Sequence, residues 1–173
     1  FRDRLVKSLF STMINNRLEE LRNSANPPFV FGFSSYGGTL ARTKNAYQSF
    51  VQTSPEGQMQ GLKAVLEENE RVKRFGFQEG EFERAKKSLL AQLEKQYNDR
   101  DKIESGRLVG QYIYHYLENN PIPGIAWQFE TTKSLLPTIQ LEEVSKLINA
   151  FLHDDDRGIA LTGPETEGLQ QVT

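Results

Sequence analysis

The sequence contains no cysteine and only two histidines among its 173 residues. The absence of cysteine excludes disulfide bonds and thiol catalysis. The scarcity of histidine limits acid–base chemistry and zinc binding, because histidine is a preferred zinc ligand. No apolar run approaches the roughly 20 residues of a membrane-spanning helix. The chain therefore has few of the side chains that commonly activate water or hold a metal ion.

The chain also lacks an excess of either charge. Its 21 basic and 23 acidic residues give a net charge of −2. Because sequence-independent nucleic-acid binding needs a concentrated basic face, we expect no nucleic-acid partner. The length suits one domain that buries roughly 70% of the surface of its unfolded chain. The sequence begins Phe1-Arg2-Asp3 without methionine, and we expect its natural start to lie upstream.

Apolar residues recur at three- and four-residue steps through most of the chain, which is the spacing of one helix face. Leu5, Leu9 and Met13 show it in a first helix that Pro27-Pro28 ends. Ser54 is expected to cap the start of the second helix, and Gly76 is expected to end it. The later helices are predicted, in order, at residues 54–75, 79–98, 101–118, 125–136 and 141–152.

Two segments alternate in the manner of β-strands, residues 29–36 and 46–53. Gly37-Gly38 interrupts the pattern, and the short connection predicts an antiparallel pair. Residues 157–162 form a third, short strand candidate. The order of elements predicts an α+β domain. Three strands are too few to cover this many apolar helix faces, so either a strand has been missed or this fragment lacks one.

The run from His115 to Asn119 is one residue short of H-x-x-E-H, the inverted zinc motif. Asn119 stands where the second histidine ligand would be, and the sequence offers no other histidine nearby. We therefore expect His115 to be a half-buried residue near the end of an aromatic-rich helix, not a zinc ligand.

His153 is followed by three consecutive aspartates, Asp154, Asp155 and Asp156. A calcium loop alternates its acidic ligands and has glycine at the sixth position, which this run does not. We expect a solvated turn between a helix and a strand.

No G-x-S-x-G elbow is present. The sequence leaves open whether folding brings a Ser-His-Asp triad together from distant positions. On its residues, the chain is predicted to hold no catalytic and no metal-binding residue.

Several runs resemble, in the right order, a bacterial branch of the insulinase-type zinc metallopeptidases, in which one long chain contains four related domains. The first is Met-Ile-Asn-Asn-Arg-Leu-Glu-Glu-Leu at residues 13–21. The others lie at residues 26–29, 42–47, 68–77, 83–87, 98–102 and 121–125. Together these runs cover most of the chain. Any single run would be weak evidence for the resemblance.

The resemblance implies an α+β roll: an antiparallel β-sheet backed by helices on one face, as in the domains of mitochondrial processing peptidase. In this family the first domain carries H-x-x-E-H and a distal glutamate, which bind one zinc ion. The runs above resemble the second, non-catalytic domain of the first half, and this chain lacks the zinc-binding pattern of the first domain. Zinc is then expected in the upstream catalytic domain of the parent protein, with no cofactor in this fragment.

The resemblance also implies a role. Residues 1–163 are expected to form one domain that lacks an upstream strand, and residues 164–173 a linker to the following half. The domain is expected to support a peptide-cleaving zinc metalloendopeptidase and to enclose its peptide substrate together with other domains of the same polypeptide. The alternative is a catalytically inactive structural or interaction subunit of the same fold. An H-x-x-E-H motif in the upstream sequence would favour the peptidase over the inactive subunit. The resemblance also suggests that the parent protein lies in the bacterial periplasm or cell envelope.

One substrate-binding residue is implied by the resemblance. In the C-terminal half of family members, an arginine and a tyrosine seven positions later help to hold the substrate near the zinc. The same spacing here gives Arg22 and Phe29, so the arginine matches and the tyrosine does not. Arg22 is the candidate substrate-binding residue, and a surface or interdomain arginine is the alternative.

Overall fold

A computed structural model describes residues 1–41, 44–103, 105–119, 121–153 and 155–163, with the backbone alone at residues 39–41 and 107. Three 3₁₀ turns, at Pro55–Gly57, Arg100–Lys102 and Leu136–Thr138, separate the longer elements. The elements are α1 (Arg2–Arg22), β1 (Phe31–Ala41), β2 (Lys44–Gln52), α2 (Gln58–Phe75), α3 (Glu79–Asn98), α4 (Ser105–Glu118), α5 (Ile125–Leu135), α6 (Leu141–Ser145) and α7 (Leu147–Phe151).

The strands β1 and β2 pair in the antiparallel direction, with Phe33 opposite Phe50 and Ser34 opposite Ser49. Because successive side chains of a strand point to opposite faces, the sheet has one serine-bearing face and one phenylalanine-bearing face. The helices α1 and α2 both lie on the serine face, where they hydrogen-bond to these two serines. The predicted antiparallel pair and the α+β class are confirmed.

The helix α1 forms the centre of the core. Leu9, Phe10, Met13 and Ile14 are all 0% exposed. The ring of Phe10 packs edge-on against side chains from three other parts of the chain, namely Tyr47, Phe77 and Phe151, with ring centroids 5.2–6.1 Å apart. Each fully buried side chain of this size contributes roughly 1.5–3 kcal/mol. The first helix is thus covered largely by elements of this same chain.

Two strand predictions are wrong. Residues 157–162 have no regular secondary structure, and Ile159 and Leu161 are exposed. A strand is stable only when a neighbour accepts its backbone hydrogen bonds, and the described part of the sheet consists of β1 and β2 alone. Gly37-Gly38 does not end β1 either. The strand continues to Ala41, with an irregular register between Gly37 and Ala41.

Helix boundaries agree more closely with the sequence. Glu79–Asn98 is observed as predicted, and Gly76, at a φ of 67°, ends α2. The Ser54 side chain makes no capping hydrogen bond, because the segment first forms a 3₁₀ turn. The helix predicted at 101–118 likewise starts late, at Ser105, and the one predicted at 141–152 divides at Lys146 into α6 and α7.

Candidate interaction surfaces

The candidate substrate-binding residue Arg22 is the last residue of α1. Its guanidinium forms an ion pair with Glu19, one helical turn earlier. Phe29, seven positions later, is buried between Leu18 and Val65 in a small cluster separate from the main core. The structure therefore places these two positions in different environments, with the arginine at the surface and the phenylalanine inside.

The near-motif on α4 occupies the surface. His115 is exposed, so its predicted half-burial is wrong, and the cause is that α4 lies away from the core. His153 contacts the Ala150 carbonyl oxygen at 2.8 Å, while Asp154 lies outside the described residues. Within the described residues no group of three or more histidine, aspartate or glutamate side chains is placed to hold a metal ion. The described residues do not fit a zinc site.

A buried charge cluster joins three helices around Arg17. The guanidinium contacts the carboxylates of Glu81 at 2.6 Å and Glu68 at 3.0 Å, and it donates to the Gly76 carbonyl oxygen at 3.1 Å. It also lies over the Phe77 ring, 4.9 Å from its centroid. The Glu81 hydrogen bond raises the pKa of Arg17, against the opposing effect of burial. No local sequence pattern predicts this cluster, because Glu68 and Glu81 lie 51 and 64 positions after Arg17.

Burial raises the pKa of the Glu81 carboxyl, but its hydrogen bonds outweigh that effect. Arg17 donates to it from α1, and the backbone N–H of Gln78 donates at 2.7 Å. Glu81 therefore has a lowered pKa and stays ionised at neutral pH. Its ion pair with Arg17 fixes the C-terminal part of α1 to the first turn of α3.

The phenylalanine-bearing face of the sheet is open to solvent. Phe31, Phe33 and Phe50 form a cluster with ring centroids 5.7–6.5 Å apart, and Phe31 and Phe50 are exposed. We call these three residues the aromatic sheet face. Rings at this spacing form a continuous apolar surface that is open to solvent.

The helix α4 is the second open apolar surface. Every residue of α4 whose side chain is described is exposed, apart from the half-exposed Gly110. The exposed side chains include Tyr112, at 63%, and Tyr116, at 88%. Among the described helices, none is long and apolar enough to cross a membrane.

The fold is similar to that of PqqL, an insulinase-type zinc metallopeptidase, and the similarity extends over most of this chain. The chain is 27% identical over 146 residues to a protein of Arabidopsis thaliana described as "Zinc protease PQQL-like". It superposes on the first half of the periplasmic protease PqqL from Escherichia coli with a TM-score of 0.75 at 18% identity, and on the longer PqqL chain with a TM-score of 0.70 at 17% identity.

These likenesses cover most of this chain but a small part of each relative. The match to the Arabidopsis protein covers 84% of this chain and 12% of that protein. The match to the PqqL first half covers 87% of this chain and 32% of that chain. The match to the longer PqqL chain covers 86% of this chain and 16% of that chain. No protein-family model matches the chain. The chain therefore matches only one segment of much longer proteins.

Proposed function

We propose that this chain is a non-catalytic domain that supports a zinc-dependent metalloendopeptidase and helps to enclose its peptide substrate. The observation that carries the proposal is the shared fold with PqqL: the chain matches over 87% of its own length but only 32% of the PqqL first half. Such a segment has the size of one domain in a larger enzyme. Arg22 stays a proposed substrate contact at the surface end of α1.

The chemistry of the chain favours a supporting role. A hydrolytic zinc ion needs about three protein ligands and a base that activates water. The whole sequence has two histidines and no cysteine, and neither histidine belongs to an H-x-x-E-H motif. In this proposal the upstream catalytic domain of the parent protein holds the zinc. The described Escherichia coli relatives are periplasmic, and we propose the same compartment for this protein.

The aromatic sheet face is the proposed contact with peptide. It lies on the side of the sheet that α1 and α2 leave open, and its rings offer apolar contact without selecting one sequence. A domain that encloses varied peptides needs a surface of this kind. The alternative role, an inactive structural subunit, needs no peptide contact at all.

The experiment that tests the proposal measures peptide binding and cleavage by the purified chain. An unstructured peptide that contains phenylalanine and leucine should bind weakly and remain intact, with or without added zinc. The double variant Phe33→Ser/Phe50→Ser should weaken binding, whereas Phe75→Ser, which removes an exposed ring elsewhere, should not. Equal binding by both variants would favour the structural subunit, and chelator-sensitive cleavage would refute the non-catalytic role.

A further inference from the structure

One side chain of α1 pairs with the backbone of β1 in the way that a neighbouring strand would. The Asn15 carboxamide accepts the Ser34 backbone N–H at 2.8 Å and donates to the Ser34 carbonyl oxygen at 2.9 Å. It also donates to the Ser11 carbonyl oxygen of its own helix, at 2.7 Å. Because both amide hydrogens are used, the orientation of the side chain is fixed from the helix and from the strand.

These bonds show which way the Ser34 backbone points. In an antiparallel pair, the N–H and C=O of one residue point the same way, alternately towards the partner strand and away from it. The Ser34 groups bond to Asn15, so they point away from β2. In agreement, Ser34 and the opposite Ser49 bring their hydroxyl oxygens within 2.8 Å, as suits a pair without mutual backbone bonds. Asn15 therefore reaches from α1 to the free edge of the sheet.

The edge of β1 that faces away from β2 has no strand partner among the described residues. By the same alternation, the backbone groups of Gly32 and Tyr36 point to this edge. We call Gly32, Ser34 and Tyr36 the outer edge of β1. After Gly37 the register of the strand is irregular, which disfavours further pairing. The outer edge is thus short, and Asn15 occupies its middle.

An unpaired strand edge is a place where another extended chain adds to a sheet through backbone hydrogen bonds. An added strand bonds to every second residue of the edge. Since the groups of Ser34 are already bonded, such a strand would have to displace Asn15 to form its central bonds. The positions that remain, Gly32 and Tyr36, lie on opposite sides of the Asn15 contact and cannot supply a continuous ladder.

We propose that Asn15 closes the outer edge of β1: its carboxamide occupies the position of a strand at Ser34 and prevents another extended chain from joining the sheet there. This inference does not rest on the proposed function. It means that an extended peptide can contact the aromatic sheet face but cannot pair with the backbone of β1.

The test follows the exchange of the Ser34 amide proton by NMR and the molar mass by sedimentation velocity, from about 10 to about 500 µM, a range suited to weak association. In the wild type this amide should exchange slowly at every concentration. In Asn15→Ala it should exchange at least about tenfold faster in dilute solution, because its acceptor is lost. At high concentration it should become slow again, and the mass should double, as the opened edges of two copies pair around a two-fold axis.

Two further variants separate opening of the edge from loss of stability. Asn15→Asp keeps an acceptor for the Ser34 N–H, loses the donor and places a charge at the edge. It should be destabilised as Asn15→Ala is, yet remain monomeric with a protected amide, because a charge disfavours strand addition. Asn16→Ala, at the exposed neighbouring residue of the same helix, should behave like the wild type in both measurements.

Three results would overturn the proposal. If Asn15→Ala exchanges fast at all concentrations and stays monomeric, Asn15 only fastens α1 to the sheet. If its Ser34 amide stays as slow as in the wild type, the side chain is not what protects the edge. If Asn15→Asp or Asn16→Ala associates as Asn15→Ala does, the association does not come from opening this edge.

Discussion

The guanidinium of Arg17 donates to both carboxylate oxygens of Glu81, at 2.6 Å and 2.8 Å, and so connects the C-terminal part of α1 to the start of α3. The same carboxylate accepts the Gln78 backbone N–H and completes the cap of α3. One side chain thus closes a helix terminus and neutralises a largely buried cation. The packing of α1 against α3 is therefore expected to depend on the Glu81 carboxylate.

Replacing this carboxylate should destabilise the fold. Glu81→Gln leaves Arg17 with a weaker partner, and breaking a largely buried ion pair costs about 3 kcal/mol, part of which Glu68 offsets. We expect the free energy of unfolding in urea at pH 7 to fall by roughly 2 kcal/mol. Glu83→Gln, at an exposed residue of the same helix, should change it by less than about 0.5 kcal/mol. A similar loss in both variants would show that the buried pair has no special role.

The lowered pKa of Glu81 also predicts a dependence on pH. A carboxyl whose pKa is lower in the folded state contributes stability above its unfolded pKa, near 4.3, and that contribution disappears as the pH falls through the folded pKa. The stability difference between the wild type and Glu81→Gln should therefore be constant near neutrality and shrink below about pH 4.3. Unfolding free energies between pH 7 and pH 3 measure it, and a difference that grows in acid would contradict the pKa shift.

A polar chain through the core links the sheet to α2. The hydroxyl of Tyr47 donates to the Asn69 side chain at 2.8 Å, and Asn69 donates to the Ser49 hydroxyl at 3.0 Å. Asn69 is itself buried, and Asn69→Ala leaves the two part-buried hydroxyl groups without this partner, so it should cost roughly 1–3 kcal/mol of unfolding free energy. Asn23→Ala, at an exposed hydrogen bond, should cost less than about 0.5 kcal/mol. Thermal denaturation compares the two variants. A thermal unfolding midpoint of Asn69→Ala equal to that of Asn23→Ala would refute a stabilising role for the network.

The near-motif on α4 should not bind zinc. Asn119 cannot replace the second histidine, and the backbone there turns to a φ of 53°, outside the helix. After dialysis against dilute zinc, the purified chain should contain no stoichiometric metal, and His115→Ala should change nothing. An equimolar zinc ion that His115→Ala removes would prove this wrong.

Sequence patterns predicted the local features well. The periodicity of α3 gave both of its ends, and Gly76 marked the end of α2, because these features depend on neighbouring residues. The alternation of phenylalanines likewise identified β1 and its antiparallel partner. The order of elements predicted the α+β class and the family resemblance added the roll architecture, and the comparison with PqqL confirms the fold class.

Features that depend on distant contacts were not predictable. Residues 157–162 have the composition of a strand, yet a strand exists only where a neighbour pairs with it. The contacts of Arg17 with Glu68 and Glu81 follow from the packing of three helices, which no local pattern encodes. The exposure of His115 depends on where α4 lies, and its own periodicity wrongly suggested burial.

The most direct test of the account is made on the longer parent polypeptide. Its zinc content and its cleavage of an unstructured peptide are measured with residues 1–163 present and deleted. The account predicts that deletion abolishes most cleavage and leaves one zinc ion per chain. It also predicts that Phe33→Ser/Phe50→Ser in the intact polypeptide lowers kcat/KM without loss of zinc. Loss of zinc on deletion, or unchanged cleavage without this domain, would contradict a supporting, substrate-enclosing role.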